Sequence, residues 1–66
     1  MTLVLHEGIV YMLDREYKVY TYDLEEPIQI GVWVQKEGVK YFDGSKEAMM
    51  RGDKDELISI IERNRL

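Results

Sequence analysis

The chain has no cysteine, one histidine (His6), one proline (Pro27) and one tryptophan (Trp33) among its 66 residues. The lack of cysteine excludes disulfides, and a single imidazole without thiolates excludes a Cys/His structural zinc site. No apolar run approaches the roughly 20 residues of a membrane-crossing helix. No basic stretch, apolar segment and cleavage site open the sequence, so a cytoplasmic location away from membranes is expected. The glycines are dispersed, which removes a phosphate-cradling loop. Net charge is −4, with lysines and arginines scattered along the chain. Nucleic acid is therefore a disfavoured partner, because its phosphates repel such a surface.

Hydrophobic residues make up 45% and charged residues 33%, the balance of one folded domain spanning residues 1–66. A domain of this size buries only about 60% of the surface its unfolded chain exposes. Without a covalent or metal staple, its core supplies rarely more than roughly 3–5 kcal/mol. Close packing or self-association has to make up the rest. Few Asn and Gln beside many Glu, Ile, Val, Tyr and Lys resemble the composition of heat-adapted proteins.

Thr2 to Leu5 is apolar, His6-Glu7-Gly8 interrupts it, and Ile9 to Leu13 resumes it. One long strand with a bulge at Gly8 is favoured over two strands meeting at a turn. Asp14-Arg15-Glu16 is a loop, followed by a Tyr- and Val-rich strand over 17–23 that ends before Pro27. From Ile28 to Gln35 apolar residues alternate strictly, with Ile28, Ile30, Val32 and Val34 on one face and Trp33 on the other. Lys36-Glu37-Gly38 is a hairpin loop with glycine where a left-handed residue is wanted, and a strand over 39–42 follows. Ser45 caps a short helical turn, Gly52 breaks it, and Asp53 with Glu56 has the spacing of a capping box. Leu57, Ile58, Ile60 and Ile61 form one apolar stripe.

The fold class is thus α+β: a four- to five-stranded antiparallel meander followed by a C-terminal helix. This order of elements is similar to that of small SH3-like barrels. Neither face of the sheet is plainly polar, and one short helix covers one face at most. Either the sheet curls so that its second face becomes an interior, or an exposed face pairs with another molecule.

Trp33, Tyr20 and Tyr22, with Tyr11 nearby in kind, are candidates for one aromatic binding face, since Trp and Tyr dominate interface hot spots. The bland alternative places them in a barrel core. Glu25 and Glu26, beside Asp23, are candidates for an acidic patch that docks on a basic partner or imitates phosphates. A solvated loop explains them equally well. Asp53, Asp55 and Glu56 already complement a helix dipole. His6 has no nucleophile or second base near it in sequence, and Asp43-Gly44-Ser45-Lys46-Glu47 lacks the ligand spacing of a calcium loop. Arg51-Gly52-Asp53 spells an adhesion tripeptide that a helix junction accounts for.

These residues support no catalytic, metal or cofactor site. The expectation is a small acidic protein, not an enzyme, that binds a protein partner through an aromatic and apolar sheet surface, with a homodimer as one form. The alternatives are an acidic decoy for a nucleic-acid-handling protein, or a small nucleic-acid-binding barrel.

Overall fold

The computed structural model describes residues 1–65. Five strands run in order, β1 (Thr2–His6), β2 (Ile9–Leu13), β3 (Lys18–Thr21), β4 (Gln29–Val34) and β5 (Gly38–Tyr41), followed by α1 (Ser45–Arg51) and α2 (Lys54–Asn64). All neighbours pair antiparallel in the order β1-β2-β3-β4-β5, so β1 and β5 are the edges. The sheet is a meander curled into a half-barrel.

The β1–β2 junction corrects the expected bulge at Gly8. His6 pairs with Ile9, and the two residues between them, Glu7 and Gly8, have φ of 51° and 81°. Two successive left-handed residues make the tight turn whose twist matches that of a hairpin. Glu in place of the usual Asn or Asp hid it in the sequence. At the next turn the Asp14 carboxylate does the organising. Its Oδ1 accepts the Glu16 and Lys18 N–H groups, both at 2.9 Å, and its Oδ2 accepts the Tyr20 hydroxyl at 3.0 Å. Tyr17, expected to open the strand, instead sits left-handed at φ 63°.

Directly opposed residues share a face. Leu13 opposes Val19, Val19 opposes Gly31, Gly31 opposes Tyr41, and Trp33 opposes Val39. Val4 opposes Tyr11, and His6 opposes Ile9. This is the concave face, and here Tyr11 and Val19 are fully buried. Contacts across it join strands that are not neighbours. The Tyr11 and Tyr41 hydroxyls bond to each other, and the His6 ring meets Trp33 edge-on at 5.8 Å and 76°. Only a curled sheet brings β1 over β4 and β2 over β5. Gly31 permits the curl, since a β-carbon there would lie 2.9 Å from the carbonyl carbon of Lys40 on β5.

The strict alternation read from Ile28 onward does not hold in space. Val19 opposes Gly31 but Tyr20 opposes Gln29, so β4 carries an extra residue at this point. Thr21 then receives Ile28, its N–H donating to the Ile28 carbonyl at 2.9 Å. A bulge lets both Ile28 and Ile30 enter the core instead of reserving one face for all the aliphatics. The two helices make their main sheet contact with β4. Ala48, Leu57, Ile60 and Ile61 complete a single cluster with Tyr11, Val19, Ile28, Ile30 and Val39.

Ser45 is also corrected. Gly44 is the N-cap of α1, and Ser45 is the first helical residue, fully buried, its hydroxyl donating to the Ile30 carbonyl at 2.7 Å. The break at Gly52 stands as expected. Gly52 is left-handed, and the Gly52 and Asp53 N–H groups reach back to Met49 and Ala48 at 3.0 and 2.9 Å, a Schellman ending. Asp53 then caps α2 through a bond from the Glu56 N–H at 3.1 Å.

Candidate functional site

The residues proposed for one aromatic face are not gathered on one. Trp33 is half-buried on the concave side, its backbone N–H donating to the Tyr17 carbonyl at 2.8 Å, with Tyr17 and Gln35 lining a shallow hollow beside it. Tyr20 points to the convex side, opposite Met12. Tyr22 lies past the end of β3 and is 53% exposed. Tyr17 and Tyr22 bracket β3, so Trp33 and Tyr22 are separated by roughly 15–17 Å along the strand direction. Tyr11 is core.

The acidic loop is largely occupied with its own structure. Asp23 Oδ1 accepts the N–H groups of Glu25 and Glu26 at 3.0 and 3.2 Å, and its Oδ2 pairs with Lys54 Nζ at 3.1 Å. That lysine, then those two N–H bonds, hold the Asp23 carboxyl below its usual range, and Asp23 in turn raises Lys54. The side chains of Glu25 and Glu26 stay exposed. In the adhesion-like tripeptide, Asp53 is engaged as a helix cap and lies 3.8 Å from Arg51.

The polar chemistry elsewhere is structural. Burial, then the bond to Tyr41, drives the Tyr11 hydroxyl well above its ordinary range. Burial and the Asp14 bond raise Tyr20. Asp14 is held low, first by the Lys18 N–H and then by the Tyr20 hydroxyl and the Glu16 N–H. Among the described residues, no group of three or more His, Asp or Glu side chains is placed to hold a metal ion, and no helix is long and apolar enough to cross a membrane.

An exposed aliphatic face lies apart from all of these residues. On the convex side of the β1–β2 hairpin, Leu3 opposes Met12 and Leu5 opposes Val10. Leu5 is 71% exposed, Leu3 55% and Val10 38%. Met12 opposes Tyr20, which in turn shares a hollow with Ile58, Ile61 and Arg65 at α2. Helical cover therefore reaches Tyr20, while the hairpin beyond it presents bare aliphatic side chains. The strand that carries two of them, β1, is an edge strand, and Thr2–His6 contains no Asp, Glu, Lys, Arg or Pro. Those are the devices that ordinarily blunt an edge. The β5 edge has one of them, the exposed Lys40. Reading Glu7-Gly8 as a two-residue turn would have paired Leu5 with Val10 and Leu3 with Met12 from sequence alone.

No family model, curated protein or solved structure matches this chain.

Proposed function

We propose that this is a non-enzymatic interaction module that takes a protein partner by strand addition along β1, with the hairpin's convex face as the apolar contact. The observation that carries this is the coincidence of an uncharged edge with Leu3, Leu5 and Val10 exposed on the same hairpin. Their exposed fractions amount to about one and a half aliphatic side chains, worth roughly 3–4 kcal/mol when buried. Association costs about 4–15 kcal/mol in lost freedom. The side chains alone do not cover that, so the partner also takes up the backbone groups of the edge. Strand addition supplies those hydrogen bonds and leaves specificity to alternate side chains. Tyr20 lies at the inner margin of this surface, while Trp33 serves the concave interior.

The reading is tested by affinity capture with matched variants. Leu3→Lys and Leu5→Lys should each lose the captured partner, while Tyr22→Ala and Glu25→Lys/Glu26→Lys should keep it. The opposite pattern would return the binding surface to the loop between β3 and β4 and discard the hairpin.

A further inference from the structure

We propose that the partner at β1 is a second copy of this chain, added antiparallel about a two-fold axis through Val4, so that two five-stranded sheets become one of ten strands. The inference rests on the strand-addition reading above and names its occupant.

The register follows from the turn. A two-residue turn closes with its flanking residues, His6 and Ile9, hydrogen-bonded to each other. Antiparallel pairs alternate between bonded and non-bonded. Val4 and Thr2 therefore turn their backbone groups toward β2, and Leu3 and Leu5 turn theirs outward. A two-fold axis at Val4 sets Leu3 against the partner's Leu5, and Leu5 against the partner's Leu3. Each outward N–H and carbonyl then meets its complement, and the arrangement is closed and isologous. On the convex side the exposed leucines of the two copies lie side by side, with Val10 behind each Leu5 and Met12 behind each Leu3. On the concave side Val4 meets the partner's Val4.

Charge points to the same occupant. Two copies of a chain with net charge −4 carry a net mutual repulsion. Along β1 there is no Asp, Glu, Lys or Arg to oppose, and at its ends one pair of opposite charges, Glu7 and Arg15, comes within reach. The register places Glu7, whose exposed carboxylate lies 3.8 Å from its own His6, level with the partner's Met1. Beside Met1 and Thr2, lining the same hollow, are Asp14 and Arg15; the Asp14 carboxylate is taken up by the Glu16 and Lys18 N–H groups and the Tyr20 hydroxyl, which leaves Arg15 as the charge turned to the partner. Arg15 is exposed and has no ion pair among the described residues. Two strand spacings, roughly 10 Å, separate the backbones concerned, a span that a Glu and an Arg side chain bridge. Symmetry repeats the pair at the other end. A foreign strand would need an apolar i, i+2 pair and an acidic residue at this one spacing, whereas the chain already carries both.

The experiment is sedimentation equilibrium of the intact protein at high-micromolar concentration, with amide hydrogen exchange on the same samples. A two-chain mass is expected, and the Leu3 and Leu5 amides should exchange slowly in concentrated protein and quickly on dilution. Leu5→Lys, with Leu3→Lys as the second variant, should give a folded single chain. Glu7→Arg and Arg15→Glu should each weaken the dimer about three- to tenfold through two symmetric pairs, and the double variant should recover it. A single-chain mass for the wild type overturns the proposal. So does a dimer whose Leu3 and Leu5 amides exchange freely. A monomer that loses a different captured protein on Leu5→Lys keeps the strand-addition reading and rejects self-pairing. A dimer indifferent to both lysine variants rejects the two together.

Discussion

Replacing Gly31 by alanine is the sharpest test of how the sheet achieves its curvature. Gly31 lies on the concave face between Val19 and Tyr41, and its backbone is outside the left-handed region that only glycine enters freely. Its requirement is therefore one of space. The added β-carbon would lie 2.9 Å from both the Lys40 carbonyl carbon and the Tyr41 Cα, and closer still to the Lys40 oxygen. These are backbone atoms of the neighbouring strand, so no side chain can swing aside. Relief requires β4 and β5 to move apart, which also disturbs Trp33 against Val39 and the Tyr41 hydroxyl against Tyr11. Overpacking costs typically 1–3 kcal/mol, and an unyielding backbone puts this case near the upper end, about 3 kcal/mol. The whole domain, without a staple, is worth roughly 3–5 kcal/mol, so the variant forfeits more than half. Thermal unfolding should show Tm falling by roughly 12–24 °C. Gly8→Ala is the control. Nothing lies within 4 Å of a β-carbon at Gly8, and its φ of 81° is the only obstacle, at about 1–2 kcal/mol. If Gly31→Ala is the milder of the two, close approach is not what permits the curl.

Two further outcomes follow from the polar contacts. Ser45→Ala removes the hydroxyl from the Ile30 carbonyl, but that carbonyl keeps the Phe42 N–H at 2.9 Å and is not orphaned. The loss should be about 1 kcal/mol, trimmed by alanine's better helix propensity, and urea unfolding that shows more than about 3 kcal/mol would reject this account. Asp14 is depressed below its ordinary 3.8 in the folded chain, so the unfolded chain binds that proton more readily. Its stabilisation is full above 3.8 and disappears as the pH drops through the depressed folded-state value. The Tm gap between wild type and Asp14→Asn should be present at neutral pH and close in strong acid; a gap that ignores pH would place the effect elsewhere.

The element order was legible because each break is marked by its own chemistry. Pro27, Gly38, Gly52 and the Asp53/Glu56 spacing each stand where the chain turns or a helix restarts. Two local patterns misled. Glu7 has none of the usual preference for a left-handed turn position, so a tight hairpin read as a bulge. The run from Ile28 to Val34 alternates perfectly in sequence, yet a register shift between Val19 and Tyr20 turns Ile28 away from the alternation. A bulge depends on the partner strand, and one strand read alone does not contain it. The candidate surface was less legible for a related reason. Surplus apolar strand was evident, but choosing its exposed part requires knowing which strands the curl folds inward. Trp33 went inward, Tyr20 stayed at the margin, and Leu3 and Leu5 were left outside.

Asp53 belongs to both helices at once. Its N–H completes the ending of α1 and its carboxylate begins α2. No residue is left over to act as a joint. Adding or deleting a single position there strips one helix of its terminus, so a change of length at the junction is felt by both. They form one rigid elbow, and substitutions that re-aim one arm must carry the other along.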